Sequence, residues 1–350
     1  MRLPTKPDGK IDIDHVKRMA AHYIDAGFNY FDTAYGYHNG ESETAMRETV
    51  VNVYPRESFL LADKMPVWLV KKQADYARLF AEQQKRCNVE YFDNYMLHSL
   101  NKGSANDSEK LGGFEFIKQM KAEGKARNIG ISFHDTADVL DALLSRHPEL
   151  DFVQLQINYL DWDSNDAKGW YEVAVKHGKN IIVMEPVKGG TLANLPPEAA
   201  AQIKNGSQAQ LAIRFAASLK NVVTVLSGMS NLEQVADNTG YMKDFKPLED
   251  ADYALIKTVL AEMSRVSVIP CTSCNYCAPE CPQGIHIPTI FSVYNELQRS
   301  KNSWHAGMMY GYIPEKSRAN GCIACGVCTS HCPQKIDIPN ELKKVAGALK

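Results

Sequence analysis

The sequence is short of several things, and each shortage removes a class of function. No apolar run approaches the roughly 18 residues that a membrane-spanning helix needs. Neither sign of charge is in excess. A formal net charge of −2 over 350 residues leaves no basic footprint for nucleic acid or for an anionic membrane surface, so neither is expected as a partner. The opening Met1-Arg2-Leu3-Pro4-Thr5-Lys6 has no apolar stretch after its charges. It does not read as a secretory leader, and a cytoplasmic location is expected. Among 22 glycines no two are separated by a single residue, so the G-x-G-x-x-G fingerprint of doubly wound dinucleotide-binding folds is missing. Cysteine is nearly absent before residue 271. Cys87 stands alone there, and its place before the apolar pair Tyr91-Phe92 suits a small packed hydrophobe.

What remains is an ordinary globular composition, 45% hydrophobic and 23% charged, in a chain long enough for two domains. Up to about residue 246, short apolar runs alternate with amphipathic stretches. The runs cover 28–31, 59–62, 92–97, 128–131, 152–157, 181–184 and 222–226. Their β-branched and aromatic content suits strands buried on both faces. Helical patterns at 16–26, 69–87, 114–122 and 208–218 lie between them, and Gly27, Gly124 and Gly178 stand where left-handed caps are expected. A repeated βα unit means a parallel sheet with helices outside it. Asp32, Lys64, His98 and Ser132 each sit at the C-terminal end of an apolar run, at spacings of 32, 34 and 34 residues. Polar residues at the C-terminal ends of successive parallel strands are how (β/α)8 TIM barrels build their sites.

A different texture begins near Pro247. Residues 248–265 read as a connecting helix, and eight cysteines follow in an internal repeat. Cys271, Cys274, Cys277 and Cys281-Pro282, leading into Ile285-His286-Ile287-Pro288, match Cys322, Cys325, Cys328 and Cys332-Pro333, leading into Ile336-Asp337-Ile338-Pro339. Both halves are C-x-x-C-x-x-C-x-x-x-C-P, the ligand run of bacterial two-cluster ferredoxins, in which the fourth cysteine serves the other cluster. Cys271, Cys274, Cys277 and Cys332 are therefore assigned to one 4Fe–4S cluster, and Cys322, Cys325, Cys328 and Cys281 to a second. Zinc also takes four thiolates, but its sites use paired C-x-x-C units, not a triplet with Cys-Pro. The 40 residues between Cys281 and Cys322 carry a helical pattern, so the region is similar to an α-helical ferredoxin domain and not to the compact βαββαβ type.

Phe31-Asp32-Thr33-Ala34-Tyr35-Gly36-Tyr37, Ala62-Asp63-Lys64 and Met96-Leu97-His98 resemble the aldo/keto reductase superfamily. With the cysteine repeat, the whole chain resembles its ferredoxin-bearing branch. The resemblance implies a (β/α)8 barrel over 1–246, a connecting helix over 247–266 and a two-cluster domain over 267–350. It also implies an Asp, Tyr, Lys, His tetrad, here Asp32, Tyr37, Lys64 and His98, and an oxidoreductase acting on a small carbonyl or alcohol with NADH or NADPH. The tyrosine would protonate the alkoxide, the lysine stabilise its phenolate, the aspartate hold the lysine and the histidine orient the carbonyl. Tyr35 competes with Tyr37 for the acid's role, because Tyr35-Gly36 is the family's Tyr-Gly shifted by two. Ser132 and Gln154 match carboxamide-binding places, although Phe133 replaces the usual Asn. Met184 stands where many members put an aromatic against the nicotinamide. Gly228, Ser230, Gln234 and Asn238 resemble an adenosine-phosphate loop without the cation that a 2′-phosphate would want, which hints at NADH or weak nucleotide binding.

Seven strands are visible where a barrel needs eight. The family's first strand would finish at Met1–Pro4, so the expected start lies upstream or the first strand is truncated. A hydride carries two electrons and a cluster one, so a one-electron donor or acceptor protein is an expected partner. Two other readings stay open. One is a ferredoxin-type electron-transfer protein whose barrel is a nucleotide-sensing or docking module. The other is a pair of clusters acting only as structural staples.

Overall fold

The computed structural model describes residues 2–163, 166–265, 268–269, 271, 277–332 and 336–349. Cα packing divides the chain into two compact units: residues 1–186 with 212–248, and residues 187–211 with 249–350.

The first unit holds all seven expected strands. They are β1 (Tyr30–Asp32), β2 (Leu60–Met65), β3 (Phe92–Leu100), β4 (Ala126–Phe133), β5 (Phe152–Gln156), β6 (Asn180–Met184) and β7 (Val222–Val225). Each pairs in parallel with the next, giving the order β1-β2-β3-β4-β5-β6-β7. Between and around them run α1 (Ile13–Asp25), α2 (Ser42–Met46), α3 (Ala74–Cys87), α4 (Lys102–Lys110), α5 (Gly113–Ala122), α6 (Ala137–Arg146) and α7 (Ala167–Lys176). The chain continues through α8 (Pro197–Ala200), α9 (Gln208–Ala217) and α10 (Leu232–Lys243). Gly27, Gly124 and Gly178, at the ends of α1, α5 and α7, have φ of +91°, +72° and +64°, the left-handed backbone that needs no Cβ.

The sheet is curled. With neighbouring strands about 4.8 Å apart, a flat sheet would hold β1 and β7 nearly 30 Å apart. Instead Tyr30 of β1 and Leu226 beyond β7 pack on one interior cluster of Ala62, Met96, Phe152 and Ile182. The first and last helices of the unit, α1 and α10, also pack together. Among the described residues no β7–β1 pairing and no eighth strand closes the circuit. The chain's first residues cross that side: Leu3 N–H donates to His38 Nε2 at 3.0 Å, and the stem of Arg2 lies on Gly228.

The second unit contains α11 (Asp250–Ser264), α12 (Ile287–Ser300), α13 (Ser303–Gly311), α14 (Val327–Ser330) and α15 (Ile338–Ala348). Its core obeys the sequence repeat. Ile285 and Ile287 in one half, and Ile336 and Ile338 in the other, are buried with Phe291, Tyr294, Leu342 and Val345. Proline in the first turn of α12 and of α15 occupies a position where its missing N–H has no helical partner. No helix among the described residues is long and apolar enough to cross a membrane.

Candidate active site and cluster-binding residues

The strand register brings the expected tetrad together. Asp32 ends β1 and pairs with Ala62, two residues before Lys64 on β2, and Lys64 in turn pairs with Met96, two residues before His98 on β3. Lys64 is fully buried and donates to Asp32 Oδ1, Asp32 Oδ2 and the Thr33 carbonyl, each at 2.7 Å. These three bonds commit the ammonium's donors. Burial favours the neutral amine, but Asp32 and Tyr37 favour the ammonium more, and the Lys64 pKa is raised.

Tyr37 follows in a tight turn, where His38 and Asn39 adopt left-handed backbone. Lys64 Nζ lies 4.7 Å from the centre of the Tyr37 ring. Burial raises the Tyr37 pKa and outweighs the opposing pull of Lys64, so the phenol is held protonated. Tyr35 goes elsewhere: its hydroxyl donates to Glu82 at 3.2 Å, and the Arg86 guanidinium lies 4.1 Å from its ring centre.

His98 owes its position to an irregularity that sequence periodicity did not show. The strand was expected to end at 97, but β3 continues to Leu100 through a shift in register. Ser99 at the shift has φ of +61°, and its N–H donates to Ser132 Oγ at 2.7 Å. Bulges of this kind re-aim a side chain next to a site. The His98 ring lies 5.8 Å edge-on from Tyr37 and 5.2 Å from Trp68. Burial, reinforced by Lys64 and His134, pushes its pKa well below the usual histidine value, so the imidazole is neutral. Its Nδ1 is buried with no hydrogen-bond partner.

Trp68 was missed by the sequence reading. It is 46% exposed while its ring lies tilted against that of half-buried His98, and only its place four residues after Lys64 could have pointed to it. A buried layer behind β2 was also missed. Asp63, Glu43, Gln83 and Cys87 are fully enclosed there.

The candidate nicotinamide residues are neighbours across three strands. Ser132 pairs with Gln154, and Met184 pairs with Gln156. Gln154 Nε2 reaches Met184 Sδ at 3.5 Å, while its Oε1 is buried and unpartnered. A buried amide oxygen without a donor fits the amino group of a carboxamide. Beyond β7, Ser230 N–H donates to Gln234 Oε1 at 2.7 Å, and Asn231 caps α10. Asn238 donates to Ser227 and accepts from Tyr241. These groups shape their own loop. The cation missing from that segment is near at hand: a Cβ on Gly228 would lie 3.0 Å from Arg2 Cδ.

In the second unit, a pocket is lined by Cys281, Cys322, Cys325 and Cys328, with Ile285, Ile287, Pro339 and Leu342 behind them. This is the cysteine set assigned from the repeat to the second cluster. Burial raises the Cys328 thiol pKa, and the charges of Cys281, Cys322 and Cys325 raise it further. Four thiolates so close are stable only around a cationic centre, and iron–sulfur chemistry supplies one. Backbone N–H groups of Ile285 and Ala324 point at Cys281 Sγ and Cys322 Sγ, at 3.5 and 3.4 Å. For the first set, Cys277 is buried and Cys271 and Cys332 are half-buried, whereas Cys274 lies outside the described residues. Of the histidines in this unit, the His286 backbone N–H donates to the Ser317 carbonyl, and His305 is buried beside Glu296.

The family model described as "Aldo/keto reductase family" matches residues 1–261, and the "4Fe-4S dicluster domain" model matches residues 270–336. L-galactose dehydrogenase of Arabidopsis thaliana is 26% identical over 249 residues, covering 63% of this chain and 76% of that protein. An aldo-keto reductase from Bacillus halodurans superposes with a TM-score of 0.60 at 22% identity, covering 71% of this chain and 88% of that one. One from Klebsiella pneumoniae, solved in complex with NADPH, gives 0.58 at 19% identity, covering 74% and 90%. At such identities the two structures speak for the fold.

Proposed function

Since the chain belongs to the aldo/keto reductase family and is an oxidoreductase carrying a 4Fe–4S dicluster domain, we propose a division of labour between its two parts. The barrel interconverts a small carbonyl compound and its alcohol with NADH or NADPH. Two 4Fe–4S clusters exchange electrons with a one-electron partner protein in the cytoplasm. The observation that carries the catalytic half is the enclosed Lys64 ammonium, bound by both oxygens of Asp32 and 4.7 Å from the centre of the Tyr37 ring.

When bound, the nicotinamide supplies or accepts hydride, and each cluster passes one electron. The residues of this chain do the rest. Tyr37, kept protonated by burial, holds the proton at its hydroxyl for the substrate oxygen. Lys64 lowers the cost of the phenolate left behind, and Asp32 keeps Lys64 charged and in place. His98, neutral and enclosed, orients the substrate oxygen without competing as an acid. Ser132, Gln154 and Met184 would hold the nicotinamide, with the unpartnered Gln154 Oε1 accepting from its carboxamide. Gly228, Ser230, Gln234 and Asn238 would take the adenosine end. Cys271, Cys274, Cys277 and Cys332 would hold one cluster, and Cys281, Cys322, Cys325 and Cys328 the other.

Tyr37→Phe removes the proton and keeps the ring. Nicotinamide-dependent turnover should fall by about 10²- to 10⁴-fold while nucleotide binding persists. Turnover at the wild-type rate would defeat the assignment. A second reading, in which the barrel only senses nucleotide, draws on the self-satisfied polar groups beyond β7. It requires nucleotide binding with no turnover of any carbonyl in a broad panel.

A further inference from the structure

The segment after β6 leaves the strand in an uncommon conformation and enters the second unit. Glu185, Lys188, Gly189 and Gly190 all have positive φ, at 55°, 45°, 62° and 101°. Non-glycine residues hold such backbone only where their surroundings over-determine it. From Val187 onward the loop belongs to the cysteine-bearing unit, and for Lys188 and Gly189 that unit supplies the constraint. The Thr191 hydroxyl donates to the Glu296 carboxylate, and both groups are shielded from solvent. Lys188 Nζ lies 3.7 Å from the same carboxylate. His305 Nδ1 lies 3.5 Å from it, at an ion-pair distance without hydrogen-bond geometry. A Cβ on Gly189 would stand 2.1 Å from the His305 ring, so only glycine fits. Burial would favour protonation of Glu296, yet His305, Lys188 and Thr191 together lower its pKa and keep it ionised.

Glu296 also occupies a telling place on α12. At the start of that helix, Ile287 lines the space enclosed by Cys281, Cys322, Cys325 and Cys328. Nine residues on, about 13 Å along the helix, comes Glu296. The residue between it and the cluster side, Asn295, is buried. It accepts from Ile269 N–H and donates to the Ile269 carbonyl, both at 2.8 Å, two residues before Cys271. One rigid helix thus touches a cavity of four cysteines, the chain leading into the other cysteine set, and the loop that begins three residues after Met184.

We infer that Glu296 is a positioning residue, which ties the loop following β6 to α12 and makes that loop's stability depend on the charge of the clusters. The inference rests on the cysteines holding clusters, and it follows contacts within one unit that α12 joins, Thr191 to Glu296 at one point and Asn295 to Ile269 at the next. Reduction adds negative charge to the unit that encloses the Glu296 carboxylate, so it should weaken the tie.

The test uses the full cluster-loaded protein under anaerobic conditions, with amide hydrogen exchange followed in peptides covering residues 187–195. Iron content and visible absorbance are read on the same samples. Wild-type exchange should be at least about 3-fold faster after dithionite reduction than in the oxidised state. Glu296→Gln should raise exchange by about 10-fold and remove the redox difference, with iron retained. Thr191→Val, which deletes the hydroxyl and leaves the helix charge alone, should do the same if the glutamine variant folds poorly. Equal wild-type exchange in the two redox states, or a redox difference that survives in a folded variant, would overturn the inference. A protein that holds no iron would instead defeat the cluster assignment, and this is read from iron content.

Discussion

The carboxylates of Asp63 and Glu43 lie within 4.8 Å of each other, both fully buried, in the layer behind β2. Glu43 is answered by Arg86 at 3.0 Å and by the Gln83 amide at 3.1 Å, while Asp63 accepts the Lys64 N–H at 2.8 Å. The Arg86 guanidinium is paired to Glu43 and Glu82, and burial and the Glu43 charge push the Asp63 pKa well above its ordinary 3.8. Asp63 therefore keeps its proton to higher pH than an ordinary carboxyl does.

A pH dependence of stability follows. Between 3.8 and its folded pKa, Asp63 binds a proton in the folded state that the unfolded chain releases. Its contribution is full below 3.8 and is lost as pH rises through the folded pKa. Asp63→Asn keeps the acceptor for Lys64 N–H and offers Glu43 a permanent donor. Its Tm should fall less than that of the wild type between pH 5 and pH 8. Parallel melting curves across that range would show that Asp63 is already ionised.

Removing Asp32 should have the opposite character. Lys64 is 0% exposed, and Asp32→Ala would leave its ammonium with a single carbonyl partner. Breaking one side of a buried ion pair typically costs about 3–5 kcal/mol. Denaturant unfolding of the variant should show a loss of this size, and the double variant Asp32→Ala/Lys64→Met should recover part of it. A loss below about 1 kcal/mol would mean that water reaches Lys64.

At the centre of the sheet, Gly130 of β4 stands where a Cβ would come within 2.5 Å of the Phe152 carbonyl and 2.6 Å of its ring. Both obstacles belong to the neighbouring strand, so neither yields easily. Gly130→Ala should cost about 1–3 kcal/mol by overpacking, measured as a shift in denaturant midpoint at constant slope. A neutral result would mean that the Phe152 ring can rotate away.

Cys325 is exposed, in contrast to buried Cys328 of the same set. Cys325→Ala should halve the iron, from about eight atoms per chain to about four, leaving one cluster signal in paramagnetic resonance. Complete loss of iron would show that the two cysteine sets do not hold clusters independently.

Much of the barrel site was legible because strand ends recur at a fixed interval. Asp32, Lys64 and His98 each close an apolar run, and parallel pairing of β1, β2 and β3 makes them neighbours. The grouping of Cys281 with Cys322, Cys325 and Cys328 around one pocket follows the repeated ligand run. Other features depend on packing that leaves no periodic trace. Asp63 looks like an incidental neighbour of Lys64, yet it points into a layer completed by Glu43 of α2 and Gln83 of α3. Arg2 reaches Gly228 across more than two hundred residues of sequence. Nothing in the composition of residues 187–211 says that they pack with helices from the end of the chain, because their partners, Glu296 and His305, are about a hundred residues further on.

That last arrangement bears on how the protein is made. Residues 187–211 leave the ribosome before β7, but the helices that carry their partners Glu296 and His305 come about a hundred residues later. At about 5–20 residues per second, the remaining stretch takes on the order of ten seconds to emerge. During that interval the barrel can assemble its strands, while Thr191 and Gly189 wait, wetted by solvent, for a glutamate and a histidine not yet translated. A ribosome-bound chain halted before α12 should present this segment to proteases and chaperones, and release of the finished chain should withdraw it.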